Sequence, residues 1–331
     1  MTLGNGIVVV TGSNGRIGDA VMRRFAGRFE SIVGFDRKAP APPPPGCVYM
    51  PVEMTSDDSV RQGLRTLREH HGSHVASVVH LAAYYDFFGE PSAKYDEITV
   101  NGTARLLRGL RELDFRVEQF LFSSTMRAVL LRIAGVYDDR CHSVPLANQI
   151  QRIYERQFTS RVYSGSTAHG QSFMHMDDLV DAIALAVERR ATLPPDVAIL
   201  LGEPEALSYD ELQHTFARLI HGEDWETLEV PGALAPFAKA GAWLLGKLPG
   251  KDPFIRPWMI DRANDHYALD ITRARTLLGW EPKRSLRDTI PRMIDALRAD
   301  PVAWYRENDL EPPSDLRTRT NATPGATPRA D

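Results

Sequence analysis

The chain has 331 residues, 43% of them hydrophobic, with a formal net charge of −4. That is enough for one large α/β core or two lobes, and the charge excludes nucleic acid as main partner, because phosphate binding needs a basic face. Only Cys47 and Cys141 are present, read as free thiols of a reducing compartment and too few for a zinc site.

Met1 to Gly6 has neither a basic run nor a long apolar one, so no signal peptide is expected and a cytoplasmic location follows. Ile7–Thr11 reads as a buried strand, Ile17–Phe29 as a helix, and Ser31–Phe35 as a second strand ending at Asp36. This is a βαβ opening. Pro40 and Pro42–Pro45 form a stiff surface connector. Val48–Val52 predicts a third strand, Ser59–His70 a helix, Ala76–Leu81 a fourth strand, Tyr95–Leu113 a long helix and Gln119–Ser123 a fifth strand. The alternation predicts an α/β fold with a doubly wound, parallel, Rossmann-type sheet.

The pattern then breaks. Val129–Ile133 is a further β-like run, with only Thr125–Ala128 before it. Parallel neighbours need a crossover of about a dozen residues. The two runs are therefore expected to fuse, to fold into a tight antiparallel hairpin, or to end the sheet early. Ser143–Gln157 and Asp177–Arg189 read as helices and Val197–Gly202 as a strand. Ser208-Tyr209-Asp210-Glu211 is a capping box that opens another helix. Ala233–Leu248 is broken by Pro236, Lys239 and Lys247, which suits a core or lid helix and not a membrane span. Thr272–Leu278 is a short helix stopped by Gly279, and Leu286–Ala299 is the last clear one. The expected division is a dinucleotide-binding domain over 1–136, a smaller substrate lobe over 137–310 with some elements packing back on the first domain, and a disordered polar tail over 311–331.

Gly12, Gly15 and Gly18 fall at the turn from the first strand to the first helix. Such a turn needs permissive backbone angles and room for a diphosphate, which the helix N-terminus attracts through its free N–H groups and dipole. The strand–turn–helix context is the one the mechanism requires. Asp36 stands 18 residues after Gly18. A carboxylate there accepts hydrogen bonds from ribose hydroxyls and repels a 2′-phosphate, which favours NAD over NADP. Arg37 pulls the other way, since a guanidinium pairs with a 2′-phosphate.

Several blocks occur in order: Thr11-Gly12-Ser13-Asn14-Gly15-Arg16-Ile17-Gly18, His80-Leu81-Ala82-Ala83, Val100-Asn101-Gly102-Thr103, Phe122-Ser123-Ser124-Thr125, Leu131-Arg132-Ile133-Ala134-Gly135-Val136-Tyr137, Phe173-Met174-His175-Met176-Asp177-Asp178 and Leu278-Gly279-Trp280-Glu281-Pro282. Together they resemble the extended short-chain dehydrogenase/reductase family, in its NAD-dependent epimerase/dehydratase branch, over roughly residues 5–300. The resemblance implies that Leu81, Ala82 and Ala83 line the cofactor, that Glu53 and Met54 meet the adenine, and that Asn101 braces the strand ends. It also places Asn14, Arg16, Ile17 and Ser123 among the cofactor-binding residues, and makes Thr125 the hydroxyl that bonds the substrate's reacting oxygen. His175, Asp177 and Asp178 are read as architectural, with no metal site.

The same resemblance implies a Tyr phenol with a Lys four residues on, one helical turn apart, to handle the hydroxyl proton. The lysines are Lys38, Lys94, Lys239, Lys247, Lys251 and Lys283, and none follows a Tyr at that spacing. Tyr84, Tyr85 and Tyr137 are read as packing or pocket residues. The expected function is hydride transfer on a nucleotide sugar or similar alcohol, by descent, with catalysis impaired. A non-catalytic NAD-binding module and an inactive deletion product are the alternatives. The usual family homodimer, which packs through the missing helix, is not expected.

Overall fold

A computed structural model describes residues 6–38, 44–88, 90–121, 128–230, 257–314 and 316. The strands are β1 (Ile7–Thr11), β2 (Ser31–Asp36), β3 (Cys47–Pro51), β4 (His74–His80), β5 (Arg116–Val117), β6 (Phe120–Leu121), β7 (Ala128–Ile133), β8 (Gly135–Tyr137), β9 (Val162–Tyr163), β10 (Phe173–His175), β11 (Val197–Leu201) and β12 (Leu228–Glu229). The helices are α1 (Arg16–Phe25), α2 (Asp57–His71), α3 (Asn101–Glu112), α4 (Val144–Tyr154), α5 (Met176–Glu188), α6 (Tyr209–His221), α7 (Pro257–Asp261), α8 (Leu286–Ala299) and α9 (Pro301–Glu307). They group into two units, each with its own core.

The first unit comprises Met1–Ala134, Met176–Gly202 and Leu269–Lys283. Its sheet runs β11-β7-β6-β4-β1-β2-β3, with β5 beside β4, and its pairings are parallel. β1 is buried at all five positions, as a central strand covered on both faces must be. Val9, Val33, Phe35, Leu64, Leu67 and Leu106 share one core cluster. α2 begins where Ser56 Oγ accepts from the Ser59 N–H and ends at Gly72, whose φ is +91°. α1 stops at Phe25, short of the predicted Phe29, and Gly27 turns the chain away at φ +74°. The predicted helix over Tyr95–Leu113 opens as a π-helical turn, Tyr95–Val100, before α3.

The junction after the fifth strand departs from all three expected joins. β6 and β7 are parallel neighbours, with Phe120 opposite Ala128 and Leu121 opposite Val129. The overlap is only two residues. Chain leaving Leu121 therefore has to return by about one residue rise, ~3.3 Å, and one strand spacing, ~4.8 Å. A crossover of a dozen residues is needed only where strands of full length must be retraced. The sheet does not end there, because β7 pairs with β11 over five residues.

The second unit comprises Gly135–His175, Glu203–Ala268 and Arg284–Asp331. Phe216, Trp225, Met293, Trp304 and Tyr305 lie in its core. Ser208 Oγ accepts from the Glu211 N–H at 3.1 Å and caps α6, and Ser285 Oγ does the same for α8 through the Asp288 N–H. Two parallel pairs, β8 with β10 and β9 with β12, are too short to show a period in sequence. α9 lies beyond the last helix expected from sequence and starts on Asp300, whose carboxylate accepts from the Ala303 N–H. Ala233–Leu248 and most of the predicted tail lie outside the described residues.

Candidate functional site

β1 delivers the glycine turn at the carboxyl end of the sheet. Gly12 has φ +68°, and a Cβ there would lie 2.9 Å from the Ala82 nitrogen. A Cβ on Gly18 would lie 2.1 Å from the Gly12 carbonyl oxygen, so the helix packs directly on the turn. The Gly15 N–H donates to that same oxygen at 3.1 Å. Gly15 is the N-cap of α1, and no side chain caps the helix. First-turn amides and the positive dipole end thus face the turn, which suits a diphosphate.

Asp36, at the end of β2, is anchored to this turn. Its Oδ2 accepts from the Asn14 N–H at 2.9 Å, across 22 residues of sequence. Arg37 is exposed beside it, as are the Asn14 and Arg16 side chains, while Ile17 is half-buried. The Glu53 carboxylate accepts from the Thr55 N–H at 3.3 Å, and the Glu53 N–H donates to Ser59 Oγ. Met54 is buried, and a Cβ on Gly102 would meet its Cβ at 3.2 Å. This contact fixes the start of α3 against the segment after β3.

Behind Leu81, Ala82 and Ala83 runs a buried chain of hydrogen bonds. Thr11 Oγ1 accepts from the Leu81 and Ala82 N–H groups at 3.2 and 3.1 Å. Its hydroxyl faces His80 Nδ1 at 2.7 Å. On the other side of the ring, His80 Nε2 faces Thr103 Oγ1 at 2.8 Å, and that hydroxyl donates to the Thr99 carbonyl. His80 is buried, and burial pushes its imidazole down to about 4. Asn101, given the bracing role in sequence, is exposed at the head of α3. The connection between that helix and the strand end runs through Thr103 and His80. Both stand in motif blocks, but a role that depends on facing partners across 23 and 69 residues leaves no local signal.

Ser123 and Thr125 lie outside the described residues. Of the tyrosines, Tyr84 packs edge-on against Tyr95 at 4.9 Å, and Lys94 Nζ lies 5.4 Å from its ring centre. That is a cation–π contact. Tyr85 is exposed, and burial of part of its ring together with Tyr95 and Asp86 raises its phenol above the usual value. Tyr137 belongs to the second unit, where it is fully buried and donates to Glu203 Oε1 at 2.7 Å. His175 lies beside it, ring edge-on at 5.3 Å, with Nε2 3.5 Å from Asp139 Oδ1. Asp178 is architectural: its carboxylate accepts from the Lys283 N–H and its carbonyl from Trp280 Nε1, both within the first unit. Among the described residues no group of three or more His, Cys, Asp or Glu could hold a metal. No helix among them is long and apolar enough to cross a membrane.

Residues 8–130 match the sequence model of the NAD dependent epimerase/dehydratase family. No curated protein matches the chain. Among solved structures, the chain is similar to UDP-glucose 4-epimerase with UDP-glucose from Thermotoga maritima, at 17% identity and TM-score 0.60, over 88% of this chain and 99% of that one. It is similar to the enzyme WbmG from Bordetella bronchiseptica in complex with NAD and UDP, at 16% identity and TM-score 0.60, over 88% and 94%. A third is UDP-glucuronic acid 4-epimerase from Bacillus cereus in complex with UDP-glucuronic acid and NAD, at 16% identity and TM-score 0.60, over 88% and 99%. At these identities the likeness establishes the Rossmann-type fold.

Proposed function

With residues 8–130 taken as a segment of the NAD dependent epimerase/dehydratase family, we propose that the first unit is a dinucleotide-binding domain that holds NAD. The second unit is then the substrate lobe. The observation that carries this is the Gly12–Gly18 turn. It has no room for a Cβ at Gly12 or Gly18, it presents an uncapped helix N-terminus, and it has Asp36 already fixed at its rim. The diphosphate would lie on the α1 amides, with the Leu81–Ala83 backbone as the opposite wall. Asp36 would take the adenosine ribose hydroxyls on its second oxygen, with Arg37, Glu53 and Met54 around the adenosine end. Bound there, NAD would supply the hydride acceptor.

The ancestral substrate class is a nucleotide sugar or similar alcohol, a reading supported by the UDP-glucose and UDP-glucuronic acid bound in two of the structural relatives. Thr125 would orient the reacting oxygen, and Ser123 would belong to the cofactor side. The proton step lacks its usual carrier, since no Tyr stands four residues before a Lys anywhere in the sequence. We therefore read this chain as an NAD-binding epimerase/dehydratase relative with impaired turnover, working in the cytoplasm.

Calorimetry of the full chain with NAD tests the binding, and assay with UDP-glucose and UDP-glucuronic acid tests the turnover. Binding weakened at least tenfold by Gly15→Val and by Asp36→Ala is expected, with no reduction or epimerisation. Equal affinity in all three proteins would overturn the cradle reading. Turnover abolished by Thr125→Ala would overturn the impairment.

A further inference from the structure

The bonds to Thr103 and Thr11 set the hydrogen-bond directions around a neutral His80. Thr11 Oγ1 has two lone pairs and one proton. The Ala82 N–H takes one lone pair and the Leu81 N–H is shared between this oxygen and the Thr11 carbonyl, so on a neutral ring with its hydrogen on Nε2 the Thr11 proton goes to His80 Nδ1. At the far side, Thr103 Oγ1 spends its proton on the Thr99 carbonyl. It can therefore only accept at His80, so Nε2 carries the hydrogen. A second proton on the ring would take the acceptor from the Thr11 hydroxyl and place a charge on a buried ring.

We infer that His80 is a positioning residue, a neutral imidazole with its hydrogen on Nε2. It is held in that tautomer by Thr103, and through Thr11 it fixes the Leu81–Ala82 peptide against Gly12. The contact it fixes is tight, because a Cβ on Gly12 would lie 2.9 to 3.0 Å from atoms of that peptide. The peptide and the glycine turn touch there, and together they form the surface on which a dinucleotide would rest. A slip of the peptide by a few tenths of an ångström changes the shape of that surface. Thr103 thus controls ligand affinity from the far side of the ring, without facing the ligand. The ligand rests on the function proposed above; the tautomer does not.

The test uses the full chain and two variants. Thr103→Val removes the acceptor for Nε2–H, and Thr103→Ser keeps it. Nitrogen-15 spectra of the imidazoles, with His80 assigned by its loss in His80→Asn, read the tautomer in the unliganded protein. Calorimetry with NAD reads the affinity. The parent and Thr103→Ser should both show the Nε2–H form at neutral pH, and Thr103→Val should shift toward the other tautomer. If the parent binds NAD, Thr103→Val should weaken it about tenfold, the effect of one buried hydrogen bond, and Thr103→Ser should not. An Nδ1–H or doubly protonated ring in the parent would overturn the inference, as would a Thr103→Val protein with unchanged tautomer and affinity. If the parent does not bind NAD, the cofactor reading fails, and the parent and Thr103→Ser spectra still decide the relay. Those spectra also decide it if Thr103→Val does not fold.

Discussion

Acid should weaken the first unit through His80, and His80→Gln should remove that weakness. Burial lowers the imidazole from 6.5 in the unfolded chain to about 4 in the folded one. Between those values the unfolded chain binds a proton that the folded protein does not, so stability rises with pH. The contribution is intact above about pH 7 and is lost as pH falls toward 4. The gap, at about 1.4 kcal/mol per unit, amounts to about 3 kcal/mol at pH 4. The cause of the shift is burial. Urea unfolding followed by circular dichroism from pH 8 to pH 4 supplies the curve. Carboxylates titrate in both proteins and cancel in the difference. His80→Gln starts less stable at pH 8, because it loses the ring's packing on Phe120. Its stability should then fall less steeply by about 3 kcal/mol over the range. Parallel curves for the two proteins would refute a buried neutral histidine.

Three further outcomes are expected. Gly18→Ala forces a methyl to within 2.1 Å of the Gly12 oxygen and 2.8 Å of the Ser13 Cα. It should cost about 2 kcal/mol or more of stability and abolish NAD binding, and a normal melting curve would contradict the packing described. Ser285→Ala removes the cap on α8, whose Asp288 N–H is bonded at 3.1 Å. The expected loss is about 1 kcal/mol, largely restored by Ser285→Asp, as read by urea titration. Burial pushes the Cys141 thiol up to about 12 and raises Cys47 less far. Iodoacetamide at pH 8 should therefore label Cys47 first and Cys141 only in urea, and equal labelling of the native chain would disprove the burial.

The sequence by itself determined β1 to β4 and β6 of the parallel sheet, the α1 turn and its three glycines, and the family to which residues 8–130 are matched. Each of these rests on residues close together in the chain, where apolar period, capping and glycine spacing act locally. Ser208 could be read as a cap because its partner is three residues away. The β6–β7 junction could not be read, because the rule about crossovers assumes an overlap of full strands, and only pairing register shows an overlap of two residues. Nor could the bracing of the strand end at Leu81 and Ala82. The block with Asn101 pointed to the right turn of helix, but which of its side chains meets the strand end is decided by the rotation of α3 against β4. That rotation turns Thr103 toward His80 and leaves Asn101 in solvent. Hydrogen bonds between residues 23 and 69 positions apart exist only once the sheet and helix have packed, so tertiary structure alone could choose the histidine and its tautomer.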